Sequence, residues 1–380
     1  MQANIEARQS EAAFAPNYAV PPGAMIEEWL EEQCMTQAEF ANRIGMSAKA
    51  LNQMIRGHAP ITHETALRLE SVTHISARTW NAMQSLFAED KARLARREIL
   101  EGQLDFLDEI PIAALRKMGV ITASARDKVA TITQVLDFFG VADAPAWRQL
   151  WESPAAAFRK SPAFISHPGA VAAWLRLGEQ AGWGQPCGEF SKPQLEAAVG
   201  QLRALTLVSD DAALVPALKG VCAAAGVRLV LVPEVLGARC SGATRWIGGR
   251  PLVQLSLRHR TDDHLWFTLF HEIGHVLRHP RTAVFIDSDQ GSPQNQQQEL
   301  EADAFSRQVL IPGEYEPELR QLRGLAEIES FAREIGISPG IVVGRLQHDG
   351  LLPYSTGNRL KRTLDLAAAL PSDGLVVGAS

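Results

Sequence analysis

Two histidines and a glutamate in the run His271-Glu272-Ile273-Gly274-His275 have the residue types of a hydrolytic metal site. Side chains four apart lie on one face of an α-helix, so His271 and His275 can offer two nitrogens to one tetrahedral zinc ion. Such an ion would lower the pKa of water, and Glu272 beside it would accept the proton and pass it to the leaving amine. This spacing is typical of zinc peptidases, but it also arises by chance and needs structural context.

A third protein ligand must come from further along the chain, because a catalytic zinc ion usually takes three side chains and leaves one position for water. The segment Glu299-Leu300-Glu301-Ala302-Asp303 supplies acidic candidates on a run of good helix formers. Glu299 and Asp303 are four apart, so if Glu299 binds zinc, Asp303 lies on the same face and can orient a ligand histidine. Glu301 points roughly the other way. We therefore predict Glu299 as the third ligand, with Glu301 as the runner-up.

The residues around the motif predict a helix that follows a small sheet. Thr261 or Asp262 can cap a helix whose broad apolar stripe runs into His271. Upstream, β-forming residues flank Gly248-Gly249, which is a hairpin signal, and an apolar run over 227–232 precedes them. A small sheet leading into a zinc helix resembles the thermolysin-like peptidases, in which an edge strand holds the substrate backbone extended above the metal.

Three separated blocks in order make the resemblance more specific. The blocks are a hairpin ending Gln254-Leu255-Ser256-Leu257-Arg258, the run from Trp266 to His279, and the run from Glu299 to Phe305 with Ile311-Pro312 after it. Residues from about 227 to 347 resemble the ImmA/IrrE family of zinc endopeptidases. The resemblance implies Zn2+ as the cofactor and a protein substrate, namely a helix-turn-helix repressor whose cleavage switches on the genes it held silent. Arg278 departs from the family pattern, which often has an apolar residue there, but it lies past the ligands.

The group that would stabilise a developing oxyanion is left open by the sequence. His279, Tyr315, His348 and Tyr354 are candidate donors, each weighed against an ordinary surface or packing role.

A second motif lies near the other end, where residues 36–57 read as two short amphipathic helices joined at Gly45. Thr36 caps the first helix with Glu39 at the capping-box position, and Ser47 caps the second. Asn and Gln can pair with adenine, Lys and Arg reach guanine or phosphate, and a polar side chain at a helix start can hold a phosphate. The predicted DNA-binding residues are Gln37, Ser47, Lys49, Asn52, Gln53 and Arg56.

The flanking residues support the same interpretation. The span from about Pro22 to Asp90 resembles the Xre-type repressors and, in its Pro-Gly start and its Trp-containing last helix, the HigA antitoxin branch. A helical bundle with no nucleic-acid role is the alternative. The formal net charge is −6, so any basic footprint must be local, and we expect DNA binding to be modest and steeply weakened by salt. Repressors of this type bind two-fold half-sites, so we expect a homodimer.

Composition and pattern predict an α+β, predominantly helical chain, with an all-α helix-turn-helix domain, a helical middle region, and a zincin-like domain containing a small sheet and the HEXXH helix. The predicted organisation is a flexible tail over 1–21, a DNA-binding domain over 22–90, a helical connector or sensor region over 91–200, a zinc peptidase domain over 201–350, and a C-terminal tail over 351–380. We find no membrane span, no signal-peptide core and no paired cysteine spacing, so we expect a cytoplasmic protein.

Two functional hypotheses remain. In the first, the protein is a DNA-binding transcriptional regulator with zinc-dependent endopeptidase activity that cleaves a repressor, an antitoxin or itself in a stress, phage or toxin-antitoxin response. In the second, it is a non-proteolytic HigA-like antitoxin or repressor whose metal site is structural or sensory. Glu272 favours the first, because a structural site needs no general base. A toxin partner and single-stranded DNA as an activator are two further interactions to test.

Overall fold

The chain divides after Leu104 into two compact units, which are described separately. The computed structural model describes residues 17–152, 167–256, 258, 260–281, 285–288 and 296–365. No helix within these residues is both long and apolar enough to cross a membrane. The predicted tail over 1–21 falls mostly outside the described residues, and the first helix starts at Gly23.

The described residues of the first unit, from 17 onward, form five helices. They are α1 (Gly23–Glu32), α2 (Gln37–Arg43), α3 (Ala48–Ile55), α4 (His63–Thr73) and α5 (Ala77–Glu101). Hydroxyl caps set the starts of α2 to α5, because the side chains of Thr36, Ser47, Thr62 and Ser76 each accept a backbone N–H from the first turn. The helix-turn-helix predicted over 36–57 is therefore present, and its capping residues do what the sequence predicts.

Apolar side chains from all five helices form one core in this unit. Phe40 of α2, Leu51 of α3 and Trp80 of α5 are fully buried there, and Trp29 of α1 packs on Phe40 with ring centroids 5.3 Å apart. Arg68 of α4 donates to the carbonyl of Gly45 and so ties α4 to the turn between α2 and α3. The two short helices thus have a fixed relative orientation.

Helices make up the first part of the second unit. A 3-10 helix over Leu104–Glu109 precedes α6 (Ile112–Lys117), α7 (Lys128–Phe139), α8 (Ala144–Trp147), a π-helical turn over Arg148–Glu152, α9 (Pro168–Trp183), α10 (Lys192–Ala204), a 3-10 turn over Leu205–Leu207, and α11 (Asp211–Ala224). The boundaries predicted at 90 and 200 fall inside α5 and α10. No helix-breaking residue lies near 90, and the single Gly200 is accommodated within α10.

A four-stranded sheet follows, formed by β1 (Arg228–Val232), β2 (Cys240–Ile247), β3 (Arg250–Ser256) and β4 (Phe285–Ser288) in the order β1-β3-β2-β4. β3 runs parallel to β1 and antiparallel to β2, and β2 runs antiparallel to β4. Gly248 and Gly249 have φ angles of 60° and 76°, which are the left-handed values that a two-residue hairpin of this type requires. The hairpin predicted from these glycines is present.

Helix α9 lies on one face of the sheet. Gln254 of β3 donates to the carbonyl of Trp174, and Arg245 of β2 donates to that of Leu175. Arg245 also lies 3.7 Å from Glu179, and Arg176 pairs with the same carboxylate. Burial lowers the pKa of Arg245 to about 10. This polar network fixes β2 in place, and β2 also borders the candidate site.

The other face packs on α12 (Asp262–Arg278), which crosses α13 (Gln296–Leu310). Trp266, Leu269, Phe270 and Ile273 of α12 are fully buried in the main core of the unit. The described residues after α13 form a 3-10 turn over Gly313–Tyr315, α14 (Glu316–Leu319), α15 (Leu325–Ile335), α16 (Pro339–His348) and a 3-10 turn over Asn358–Leu360. The helix predicted from the broad apolar stripe is therefore present, and the stripe faces the core.

The segment after residue 350 departs from the predicted tail. Thr363 forms an isolated antiparallel bridge with Thr261, the backbone N–H of Arg362 donates to Asp262 at 3.0 Å, and Leu364 is buried. Residues 351–365 therefore pack on the start of α12, because they satisfy its buried Asp262 and add an apolar side chain to the core. Residues 366–380 lie outside the described part of the chain.

Candidate metal centre

His271 and His275 face the same direction from α12. Their Nε2 atoms are 2.9 Å apart, and the residues are only 3% and 1% exposed. The helix holds them there because its opposite side is anchored in the core by Leu269 and Ile273. The two nitrogens form one edge of a potential coordination polyhedron.

Glu299 of α13 completes a triangle with these nitrogens. Its Oε2 lies 3.1 Å from His271 Nε2 and 3.4 Å from His275 Nε2. With metal–ligand bonds of about 2.0–2.1 Å, two ligands of a tetrahedral zinc ion are about 3.3 Å apart. The three side chains thus suit one face of a zinc tetrahedron, both by donor type and by separation.

Close packing between α12 and α13 places Glu299 here. A Cβ atom on Gly274 would lie 3.2 Å from the Cα of Ala302 and 3.2 Å from the ring of Phe305. Because Gly274 has no side chain, α13 can pack closely on α12 next to the two histidines. Ala302 is fully buried at this crossing, one turn after Glu299.

The protonation states of the cluster suit a cation. Burial raises the pKa of the Glu299 carboxyl, but hydrogen bonds with His271 and His275 outweigh it and bring the pKa to about 2. Burial lowers the pKa of His275. At neutral pH the carboxylate is ionised and the imidazole is neutral, which are the forms that bind a metal.

Asp303 lies behind His271. Its Oδ1 is 2.9 Å from His271 Nδ1, and Arg307 approaches its other oxygen at 3.9 Å. A carboxylate on the far nitrogen of a histidine fixes the ring orientation and leaves the near nitrogen's lone pair for a metal. The structure thus brings together four of the residues that the sequence selects in this region, namely His271, His275, Glu299 and Asp303.

The predicted DNA-binding residues lie at the surface of the first unit. Lys49 and Gln53 are exposed on α3, Arg56 is exposed directly after it, and Asn52 is partly buried. Gln37 is exposed at the first position of α2. The Ser47 hydroxyl accepts the N–H of Ala50, so its first role is to cap α3.

Comparison with family models gives two matches. Residues 237–347 match a peptidase family described as the IrrE N-terminal-like domain, and residues 26–80 match the family described as Helix-turn-helix. The chain joins a helix-turn-helix domain to an IrrE-like peptidase domain. No curated protein matches it.

These matches confirm the predicted fusion of a helix-turn-helix regulator with an ImmA/IrrE-type domain, and the predominantly helical α+β fold. The helix-turn-helix match indicates a DNA-binding regulator. The other match indicates a metallopeptidase family and so implies a metal, for which His271, His275 and Glu299 offer a cluster.

Glu272 of the IrrE-like domain lies under β2 and is fully buried. The Thr244 hydroxyl is 2.6 Å from Glu272 Oε2 and donates to it, and a Cβ atom on Gly242 would lie 2.3 Å from Oε1. Neither residue of β2 is predicted from the sequence. The alternation along the strand puts 242 and 244 on one face, but nothing in the sequence shows that α12 packs there.

The four candidate oxyanion donors lie away from the three ligand atoms. His279 lies 2.9 Å from the Nδ1 atom of His275, and Tyr315 packs edge-on against Phe331. His348 and Tyr354 line a cavity of about 170 Å³ with Phe267 of α12. Among the contacts of the described residues, none joins these four side chains to the three ligand atoms directly.

Proposed function

We propose that the protein is a DNA-binding transcriptional regulator whose IrrE-like domain is a zinc-dependent endopeptidase. It cleaves a helix-turn-helix repressor, an antitoxin or itself in a stress, phage or toxin-antitoxin response. The observation that supports this most is the triangle of ligand atoms on His271, His275 and Glu299, with Glu272 in the same helical turn. A metal site with a purely structural role needs no carboxylate beside it.

The residues around the three ligand atoms would have different roles in peptide hydrolysis. A zinc ion held by His271, His275 and Glu299 would polarise the scissile carbonyl and lower the pKa of a water molecule. Glu272 would take the proton from that water and pass it to the leaving amine. The Thr244 hydroxyl fixes the Glu272 carboxylate through one oxygen, and Asp303 fixes the ring of His271.

The substrate would bind as an extended chain along the sheet. In the described part of the sheet, β4 is the outer strand beside β2, and its Phe285 ring stacks on His275 with centroids 4.0 Å apart. A peptide that adds a strand at this edge would receive main-chain hydrogen bonds next to the metal. A segment of a partner protein, or of this chain, would have to unfold locally before it could add to the sheet as an extended strand.

The helix-turn-helix domain would select the operator. Lys49 and Gln53 are exposed on α3, which would enter the major groove, and Arg56 follows directly after the helix. Asn52 would add a contact to adenine. Gln37 and Ser47, at the starts of α2 and α3, would contact phosphates. A homodimer would place two copies on two-fold half-sites. A toxin partner and single-stranded DNA as an activator complete the interactions that we propose, and we place the protein in the cytoplasm.

One observation favours a second function. Glu272 is fully buried and the two histidines are nearly so, which leaves little of their surface open to a substrate. A HigA-like antitoxin or repressor with a structural or sensory metal needs no such access.

Proteolysis assays separate the two functions. The zinc-loaded protein is incubated with the adjacent gene's product and with a helix-turn-helix repressor, with and without single-stranded DNA, beside the Glu272→Gln variant. We expect fragments from the wild type and none from Glu272→Gln, which retains its metal. Tight operator binding without cleavage under every condition would support the second function instead.

A further inference from the structure

A chain of three side chains leads from the metal centre to the surface of α13. His275 Nδ1 lies 2.9 Å from His279 Nδ1, and His279 Nε2 lies 3.2 Å from Glu301 Oε2. His279 follows His275 by one helical turn, so the two rings lie on the same side of α12. Glu301 comes from α13, two residues after Glu299.

Only one arrangement of neutral imidazoles satisfies every contact when His275 binds a metal. His275 must present the Nε2 lone pair to the metal, so its proton is on Nδ1 and points at His279. His279 Nδ1 must then accept that proton, which leaves the His279 proton on Nε2, where it is donated to the Glu301 carboxylate. In this arrangement each hydrogen bond among His275, His279 and Glu301 has one donor and one acceptor.

Burial prevents water from replacing this support. The side chains of His275 and His279 are 1% and 3% exposed, and the Phe285 ring lies against both, with centroid distances of 4.0 Å and 5.1 Å. Without His279, the Nδ1–H of His275 would face an apolar ring and a void. An unsatisfied buried donor of this kind disfavours the tautomer that binds the metal.

The two ligand histidines are supported differently. Asp303 reaches the Nδ1 atom of His271 directly, whereas the Nδ1 atom of His275 is connected to the Glu301 carboxylate through His279. Glu299 and Asp303 of α13 thus contact histidines of α12, and Glu301, the sequence-based runner-up for the third ligand, contacts His279 just after the end of α12.

We propose that His279 and Glu301 are positioning residues for His275. They fix its tautomer and ring orientation, so that the Nε2 lone pair of His275 is already directed at the metal position. This inference rests on the proposed metal centre, but it concerns affinity and coordination geometry and requires no substrate.

The test measures Zn2+ affinity by competition with a chromophoric chelator, and records the visible spectrum of the Co2+-loaded protein as a report of ligand geometry. We expect His279→Leu to weaken Zn2+ binding about 10–100-fold and to shift the Co2+ bands, as loss of an outer hydrogen-bond partner does. His279→Gln, which can accept with its oxygen and donate with its nitrogen, should return the affinity to within a few-fold of the wild type and restore the bands.

Glu301→Ala provides a surface variant, because this carboxylate is 42% exposed and its removal leaves the core intact. It should weaken Zn2+ binding several-fold, while Glu329→Ala, an exposed glutamate on α15, and His348→Leu leave it unchanged. Wild-type affinity and spectrum in both Glu301→Ala and His279→Leu would overturn the inference. If His279→Leu fails to fold, an unchanged affinity in Glu301→Ala overturns it alone. Absence of metal binding in the wild type would instead refute the proposed metal centre.

Discussion

Thr244 and Glu272 are joined by a 2.6 Å hydrogen bond between a strand and the metal-site helix. The same hydroxyl lies 3.2 Å from the backbone carbonyl of Glu272, so β2 contacts both ends of this residue. A carboxylate that must accept a proton and release it again works best in one orientation. Thr244 provides that orientation.

Thr244→Val tests this role, because valine keeps the shape and loses only the hydroxyl. We expect peptidase activity to fall about 10–100-fold, since a hydrogen bond to a charged group contributes about 1.5–3 kcal/mol. The metal content should not change, and Thr244→Ser should retain most activity. A valine variant that cleaves like the wild type, or that loses its metal, would contradict the role.

Gly274→Ala should separate α12 from α13. A Cβ atom there meets the backbone of Ala302 at 3.2 Å, so α13 must move by a few tenths of an ångström and take Glu299 with it. We expect weaker Zn2+ binding and lower thermal stability, measured by chelator competition and by calorimetry.

Gly220→Ala is the matched control for that substitution. Gly220 lies inside α11, and no neighbouring atom lies within 4 Å of the position that a Cβ atom would take there. Alanine should therefore stabilise the helix by about 0.5–1 kcal/mol and leave Zn2+ binding unchanged. Equal effects of the two variants would show that the helix crossing is not as tight as described.

Much of the site could be predicted from the sequence. The four-residue spacings between His271 and His275 and between Glu299 and Asp303 select the side chains that the structure brings together, because helical periodicity is a local property. The hydroxyl caps of α2 and α3 and the glycines of the hairpin are also local signals.

The remaining contacts depend on packing between distant segments. On an isolated helix, Glu301 points roughly away from Glu299, because the two residues are two positions apart. The close crossing of α12 and α13 at Gly274 allows Glu301 to reach His279, one turn after His275. Thr244 is placed under Glu272 by the sheet's position on α12. The segment 351–365 has a polar composition typical of a tail, yet Arg362 reaches Asp262, 100 residues earlier.

Arg203 of α10 should prove important for stability. Its guanidinium donates to the carbonyls of Val309 and Leu310 at the end of α13, and to those of Ile335 and Gly336 at the end of α15. Arg203→Leu leaves these carbonyls without their donor, so we expect a loss of about 2–4 kcal/mol in the free energy of unfolding.

Urea denaturation of the full chain measures that loss. Arg333→Leu, at an exposed position on α15, is the control and should lie within about 0.5 kcal/mol of the wild type. A loss at Arg203 no larger than at Arg333 would show that water replaces the guanidinium.

Substitutions at Gln53 and Lys49 should have different effects on DNA binding. Gln53→Ala should weaken binding to the operator but not to unrelated DNA, because a base contact specifies sequence. Lys49→Ala should weaken both and reduce the slope of log K against log salt by about 1, because it removes one phosphate contact. Fluorescence anisotropy across a salt series measures both, with Lys219→Ala of the second unit as the control. A salt slope unchanged by Lys49→Ala would remove it from the interface.

The metal content of purified protein, determined by elemental analysis after saturation with zinc and removal of the excess, tests the central proposal most directly. We expect one zinc ion per chain in the wild type and in Glu301→Ala, and close to none in Glu299→Ala. A wild-type protein that takes up no metal, or a Glu299→Ala variant that retains a full equivalent, would contradict the metal centre built from His271, His275 and Glu299.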